Sequence, residues 1–137
     1  MRIAVIIPAH NEQEVIESTI DALWRAKVQP ADVYVVDDAS SDKTSAIAAA
    51  CGVQLLTLTT NLGKSGALNA VIQHFKLCEN YDYIAFLDAD TKVREDYFQV
   101  LKAATKRPTT IPRKLLKVVT KRSLGSLQPL KRYSVDY

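Results

Sequence analysis

Asp88, Ala89 and Asp90 follow directly on the apolar run Tyr83-Ile84-Ala85-Phe86-Leu87. Side chains alternate along an extended chain, so two carboxylates one residue apart at a strand end point the same way. Such a pair suits one hard divalent cation, Mg2+ or Mn2+, with diphosphate oxygens and water completing its shell. A cation held there would neutralise charge developing on a departing diphosphate. Alone, the triplet is short. A solvated acidic turn capping a helix over 95–104 is its plainer reading.

Three more polar clusters carry chemistry of the same kind. Asp37-Asp38-Ala39-Ser40-Ser41-Asp42-Lys43-Thr44 follows the apolar run 33–36. Acids after a buried strand need partners. One of them can accept hydrogen bonds from a base or a ribose, as acids do in dinucleotide-binding folds. Asp42 or Ser41 is expected to cap the next helix, and Asp38 to bind. Asn61-Leu62-Gly63-Lys64-Ser65-Gly66 resembles a phosphate loop opening a helix. It lacks the first glycine of a Walker A sequence, which rejects an NTPase. Lys64 can still meet a diphosphate as a point charge; otherwise it is a solvated loop lysine. Pro8-Ala9-His10-Asn11-Glu12 is the fourth cluster, with a plain turn as its bland reading.

The elements that must position these clusters are short and alternate. Apolar runs at 3–7, 33–36, 53–58 and 83–87 read as strands, the first ended by Pro8. Helical patterns cover 13–27, 44–51, 65–77 and 95–104. The first helix is expected to be capped by Asn11 and stopped by Pro30, and the second to be closed by Gly52. Trp24 falls at an apolar helical position and reads as core. Strand–helix alternation predicts an α/β fold, a Rossmann-like parallel sheet flanked by helices. Every strand then runs into one polar cluster, and ligands of such sheets sit at the carboxyl ends of the strands.

The 137 residues suffice for one domain with a core, and 47% hydrophobic with 24% charged residues is ordinary for a globular protein. Charge is divided unevenly. Residues 1–105 hold nine Lys/Arg against 14 Asp/Glu, whereas residues 106–137 hold nine Lys/Arg against Asp136 alone. That switch predicts two segments under different constraints: a domain at 1–105, which the resemblance drawn below makes the nucleotide-sugar-binding one, and a basic, proline-containing tail at 106–137. The tail is expected to be partly disordered, and its composition suits a segment foreign to the rest or read in a shifted frame. A basic anion-binding module is therefore an alternative function. Specific nucleic-acid binding is not expected, because aromatic residues for base stacking are not interleaved with the charges. Cys51 and Cys78 match no metal spacing and read as reduced thiols of a cytoplasmic protein. No apolar run has the roughly 20 residues needed to span a membrane. At most, peripheral contact with an inner membrane face is expected.

In this order and spacing the four clusters resemble the family 2 glycosyltransferases, whose pattern is a PxxNE turn, a DDxSxDxT segment, an NxGKxxAxN loop and a D-A-D. The resemblance covers about residues 1–105 and implies a GT-A fold. It also implies binding of a nucleotide-diphosphate sugar, commonly a UDP-sugar, with a divalent metal, and inverting transfer to an acceptor hydroxyl. By the same resemblance, Pro8, Ala9 and Glu12 lie near the nucleotide, Asp38 meets the base, and Lys64 lies near the base or diphosphate. Asp88 and Ala89 contact the nucleotide, and Asp90 takes the metal. The family continues into an acceptor-binding half that carries an Asp as general base, often as Glu-Asp. Nothing after Tyr97 matches that half. The acceptor stays unknown, and a truncated, non-catalytic nucleotide-binding remnant is the alternative.

Overall fold

The structure, a computed structural model, describes residues 2–96 together with Phe98, Gln99 and Lys102. Its elements are β1 (Ile3–Ala9), α1 (Ile16–Arg25), a 3-10 turn (Pro30–Asp32), β2 (Val33–Asp37), α2 (Thr44–Ala50), β3 (Gln54–Thr57), α3 (Gly63–His74), α4 (Leu77–Asn80) and β4 (Tyr83–Phe86). All pairings among them are parallel, in the order β3-β2-β1-β4. The expected helix-flanked parallel sheet is therefore present.

Period-2 alternation splits β1 between two cores. Ile3, Val5 and Ile7 join Val33, Val35 and Ala85 under α1 and α2, where Ile16, Ile20, Leu23 and Ala48 pack. Ala4 and Ile6 join Val36, Ile84 and Phe86 under α3 and α4, against Ala67, Leu68, Val71, Ile72 and Leu77. Both faces of the central strands are thus covered, which is why they read as unbroken apolar runs. Each fully buried Ile or Leu of α1 contributes on the order of 1.5–3 kcal/mol. Leu23→Ala would cost about 2–5 kcal/mol.

Connection sense explains where a site can form. From β1 the chain steps outward to β2 and β3, then returns to place β4 on the other side of β1. Right-handed crossovers require the helices to change face at that reversal, as α3 does. The strand order therefore switches between β1 and β4, and a crevice opens there beyond the carboxyl ends.

Several boundaries differ from expectation. β1 runs through Pro8, which pairs with Val36. The β1–β4 ladder ends at Ile6 and Phe86, with Leu87 donating to the Ile6 carbonyl. Alternation turns the Pro8 nitrogen to that same side two residues later, where no donor is needed. Pro30 does not stop α1. The helix ends at Arg25 because Lys27 turns left-handed at φ 66°, and Val28 N–H donates back to the Leu23 carbonyl. Pro30 instead starts the 3-10 turn. The third helix stops at His74, and left-handed Lys76 separates it from α4. Gly52 closes α2 as expected, at φ 83°. Of the helix expected at 95–104, Glu95 and Asp96 form a turn instead, and Phe98, Gln99 and Lys102 are helical; its other positions and the tail at 106–137 lie outside the described residues.

Candidate functional site at the carboxyl edge of the sheet

Parallel strands end at one edge, so the loops after β1, β2, β3 and β4 meet there. The first two are stitched together by side chains. Asn11, left-handed at φ 52°, donates its N–H to Ser40 Oγ at 2.8 Å, and its Oδ1 accepts from Ser41 N–H at 2.8 Å. It does not cap α1, whose start is a backbone turn on the Glu12 carbonyl. Glu12 N–H donates to Thr44 Oγ1 at 2.9 Å, and the Thr44 hydroxyl in turn donates to Asp42. Asp42 also accepts the N–H of Thr44 at 2.9 Å, and so holds the start of α2. Asp37 is buried and accepts Ser40 N–H at 3.0 Å.

Asp38 ties the third loop to the first two. It is 5% exposed, and an acid that deep must be satisfied. Its N–H donates to the Ala9 carbonyl at 2.8 Å, and its Oδ1 accepts Leu62 N–H at 2.7 Å. His10 Nδ1 lies 2.8 Å from the Asp38 carbonyl, the geometry of a donated N–H. Leu62 is the exposed large hydrophobic among the described residues, at 51%. A Cβ at Gly66 would stand 2.7 Å from Leu62 Cβ, where i and i+4 Cβ atoms ordinarily stand about 5–6 Å apart. Gly66 therefore lets Leu62 fold over the first turn of α3.

The fourth loop carries Asp88, Ala89 and Asp90. Thr91 N–H donates to the Asp88 carbonyl at 3.0 Å and closes the turn. Ala89 is buried, and its carbonyl accepts the Thr19 hydroxyl of α1 at 2.5 Å. Lys64, in the first turn of α3, reaches Asp88 Oδ1 at 2.6 Å. Asp90 is exposed.

The acids of separate loops share one field. Glu12 has its carboxyl raised above the ordinary glutamate value, first by burial and then by the charges of Asp90, Asp42 and Asp88. Asp42 goes the other way: the Thr44 hydroxyl holds its carboxyl below the usual aspartate value, against a smaller effect of burial. Glu12 is thus a carboxylate looking at carboxylates, an arrangement that favours any cation placed among them.

Each residue singled out in the sequence is found at this edge. Pro8 and Ala9 end β1, with Ala9 holding Asp38 through its carbonyl. Glu12 shares a field with Asp88 and Asp90, and Lys64 pairs with Asp88. Asp38 is joined to the β1 and β3 loops. Two residues escaped notice. Thr19 was readable as a hydroxyl among Ile16, Ile20 and Leu23 on an apolar helix face. Leu62 carried no signal, since its exposure depends on Gly66. A cleft lined by Ala22, Arg25, Val93, Arg94, Glu95 and Asp96 runs beside α1, and none of these loop acids lines it.

The doubly wound α/β sheet thus brings these carboxylates and Lys64 to its switch point, the place where ligands of such sheets bind. Residues 4–112 match the profile described as Glycosyl transferase family 2, and the chain belongs to that family. It is 32% identical over 98 residues to poly-beta-1,6-N-acetyl-D-glucosamine synthase of Staphylococcus aureus, covering 69% of this chain and 23% of that protein. The chain thus spans about a quarter of the length of the curated relatives it matches. Glucosyl-3-phosphoglycerate synthase of Mycobacterium tuberculosis, solved with Mn2+, UDP-glucose and phosphoglyceric acid, superposes with TM-score 0.59 at 27% identity, over 77% of this chain and 40% of that one. Staphylococcus aureus TarS, solved with UDP, shares the fold with TM-score 0.63 at 23% identity, over 75% and 31%. The architecture is that of the GT-A, Rossmann-like glycosyltransferases. No helix among the described residues is long and apolar enough to cross a membrane.

Proposed function

We propose that this chain forms the donor-binding part of an inverting glycosyltransferase that uses a nucleotide-diphosphate sugar, most simply a UDP-sugar. The observation that carries this is the joint field of Glu12, Asp88 and Asp90 beside Lys64 at the switch point. In this reading Pro8, Ala9 and Glu12 border the nucleotide. Asp38 faces the base with Oδ2, which nothing bonds among the described residues, while Oδ1 keeps the Leu62 loop in place. Lys64 moves its ammonium between Asp88 and the diphosphate. Asp88 and Ala89 line the ribose and sugar side.

Asp90 would hold a divalent cation, Mg2+ or Mn2+, which supplies charge neutralisation to the leaving diphosphate. The donor set fits such a hard cation, being all carboxylate. Among the described residues no group of three or more His, Cys, Asp or Glu side chains could hold a metal. Few protein ligands plus substrate phosphate is the usual coordination of Mg2+ in phosphate sites. Transfer would proceed by attack of an acceptor hydroxyl on the anomeric carbon, opposite the departing diphosphate. The acceptor and its general base are not assigned.

Calorimetric titration of the chain with UDP, with and without Mn2+, tests the reading. Binding enhanced by Mn2+ and abolished in its metal-dependent part by Asp90→Ala is expected. No binding of UDP under either condition sinks the proposal.

A further inference from the structure

Thr19 is a polar residue on the apolar stripe of α1 and is 3% exposed. Its hydroxyl has one hydrogen and three carbonyls within reach. Ala89 lies at 2.5 Å, Val15 at 3.2 Å and Thr91 at 3.5 Å. A threonine inside a helix ordinarily spends its hydrogen on the carbonyl one turn back, here that of Val15. The shorter contact to Ala89 assigns the hydrogen across the sheet edge instead. The partner is the carbonyl between the two carboxylates of the 88–90 turn. Orienting that carbonyl fixes the peptide plane from which Asp90 departs. The hydroxyl of Thr91 does not brace this turn, since it is buried without a hydrogen-bond partner.

Glu12 is connected to the same rod. Its carbonyl accepts the N–H groups of Val15 and Ile16, which start α1. One turn later Thr19 grips Ala89. Helix α1 therefore spans from the Glu12 turn to the Asp88–Asp90 turn, the two turns whose acids repel one another. Left to that repulsion, the acids would move apart.

We propose that Thr19 is a positioning residue that holds Asp90 and Glu12 at a fixed separation for a divalent cation. The inference rests on the donor-site reading above. Groups that orient metal ligands typically change metal affinity by about 10–100-fold when removed. A merely structural threonine would instead change stability and all binding together.

The test compares Thr19→Val, Thr19→Ser and the unsubstituted chain in UDP titrations with and without Mn2+, alongside thermal unfolding. In Thr19→Val the enhancement of UDP binding by Mn2+ falls about tenfold. Metal-free UDP binding stays within about twofold, and Thr19→Ser restores the enhancement. Should Thr19→Val not fold, Thr19→Ala, which removes the same hydrogen without adding a methyl, carries the comparison. Unchanged Mn2+ enhancement in the valine variant overturns the proposal and leaves the donor site standing. Equal loss of metal-free and metal-assisted binding also overturns it, as does a serine variant that rescues nothing. If the unsubstituted chain binds no UDP, the donor-site reading and this one fall together.

Discussion

Lys64 Nζ lies 2.6 Å from Asp88 Oδ1, joining the first turn of α3 to the turn after β4. Both side chains are well exposed, at 57% and 41%. A pair so wet contributes about 0–1 kcal/mol to stability. Its consequence therefore belongs to ligand balance. Lys64→Met leaves Asp88 uncompensated beside Asp90 and Glu12. The affinity for UDP is expected to fall several-fold, since the diphosphate loses a cation and meets added negative charge. Mn2+ binding without nucleotide is expected to strengthen. Calorimetry reads both, and the free energy of unfolding should change by no more than about 1 kcal/mol. Changes of the same sign for UDP and Mn2+ would contradict the pairing as the link.

Glu12 sits in a field that its own ionisation worsens. Burial, then Asp90, Asp42 and Asp88, raise its carboxyl above 4.5, the ordinary value. The fold thus binds this proton more tightly than the unfolded chain does. The associated stability is fully present below the ordinary value and is lost as pH rises through the raised one. Glu12→Gln is therefore expected to melt higher than the parent at pH 7 and alongside it below about pH 4. Salt should narrow the gap at pH 7. Asp42→Asn has the opposite sign, because the Thr44 hydroxyl favours the charged form of Asp42. Its loss of stability should appear at pH 7 and shrink as pH falls through the lowered carboxyl. Melting curves between about pH 2 and 8 check both, since the Asp42 effect fades only below its ordinary value of 3.8; a Glu12→Gln chain less stable at pH 7 would refute the shared field.

The sheet was legible because β1 and β2 are buried on both faces, and such strands must be apolar throughout. The four loops were legible because a parallel sheet delivers every strand end to one edge. What escaped was decided by single backbone angles. Lys27 and Lys76 turn left-handed to end α1 and α3, and neither is the glycine that would announce such a turn. Pro8 remains inside β1 because β4 stops pairing at Phe86, a fact about another strand. Asn11 has the composition of a cap, yet its amide is spent on Ser41. Which acid of the Asp37-Asp38 pair meets the β3 loop was equally hidden. The alternation of β2 and the approach of Leu62 decide it together.

Gly66 stands inside α3, where replacement of glycine by alanine ordinarily stabilises by about 1 kcal/mol. Here the new Cβ would meet Leu62 Cβ at 2.7 Å. Leu62 must shift, and its N–H is the donor to Asp38 Oδ1. Gly66→Ala is therefore expected to lower stability by about 1–3 kcal/mol, the usual cost of overpacking, despite the better helix propensity. UDP affinity should fall with it, because the carboxylate assigned to the base loses its brace. Urea unfolding gives the sign directly. A more stable variant would mean that Leu62 swings aside without cost and that glycine is not required.

Tyr34 and Tyr81 meet at the opposite edge of the sheet, near the starts of β2 and β4. Their hydroxyls are 3.0 Å apart, and Tyr81 donates to Asp32 Oδ1 at 2.8 Å. Tyr34 is then the donor to Tyr81, which makes the two positions unequal. Tyr34→Phe removes the first donor of the chain and leaves Tyr81 bonded to Asp32, for about 1 kcal/mol. Tyr81→Phe strands the buried Tyr34 hydroxyl, for about 1–3 kcal/mol. The ring of residue 81 still carries the Arg2 guanidinium, 4.6 Å from its centroid, so the difference isolates the hydroxyl. Burial, then the bonds to Tyr34 and Asp32, push the Tyr81 phenol far above its ordinary value. The stability it contributes is accordingly complete below about pH 10 and declines above it. Tyr81→Phe should flatten that alkaline decline while leaving UDP binding unchanged, since no donor-site residue touches this pair. Equal destabilisation by the two substitutions would reverse the assigned direction of the bond.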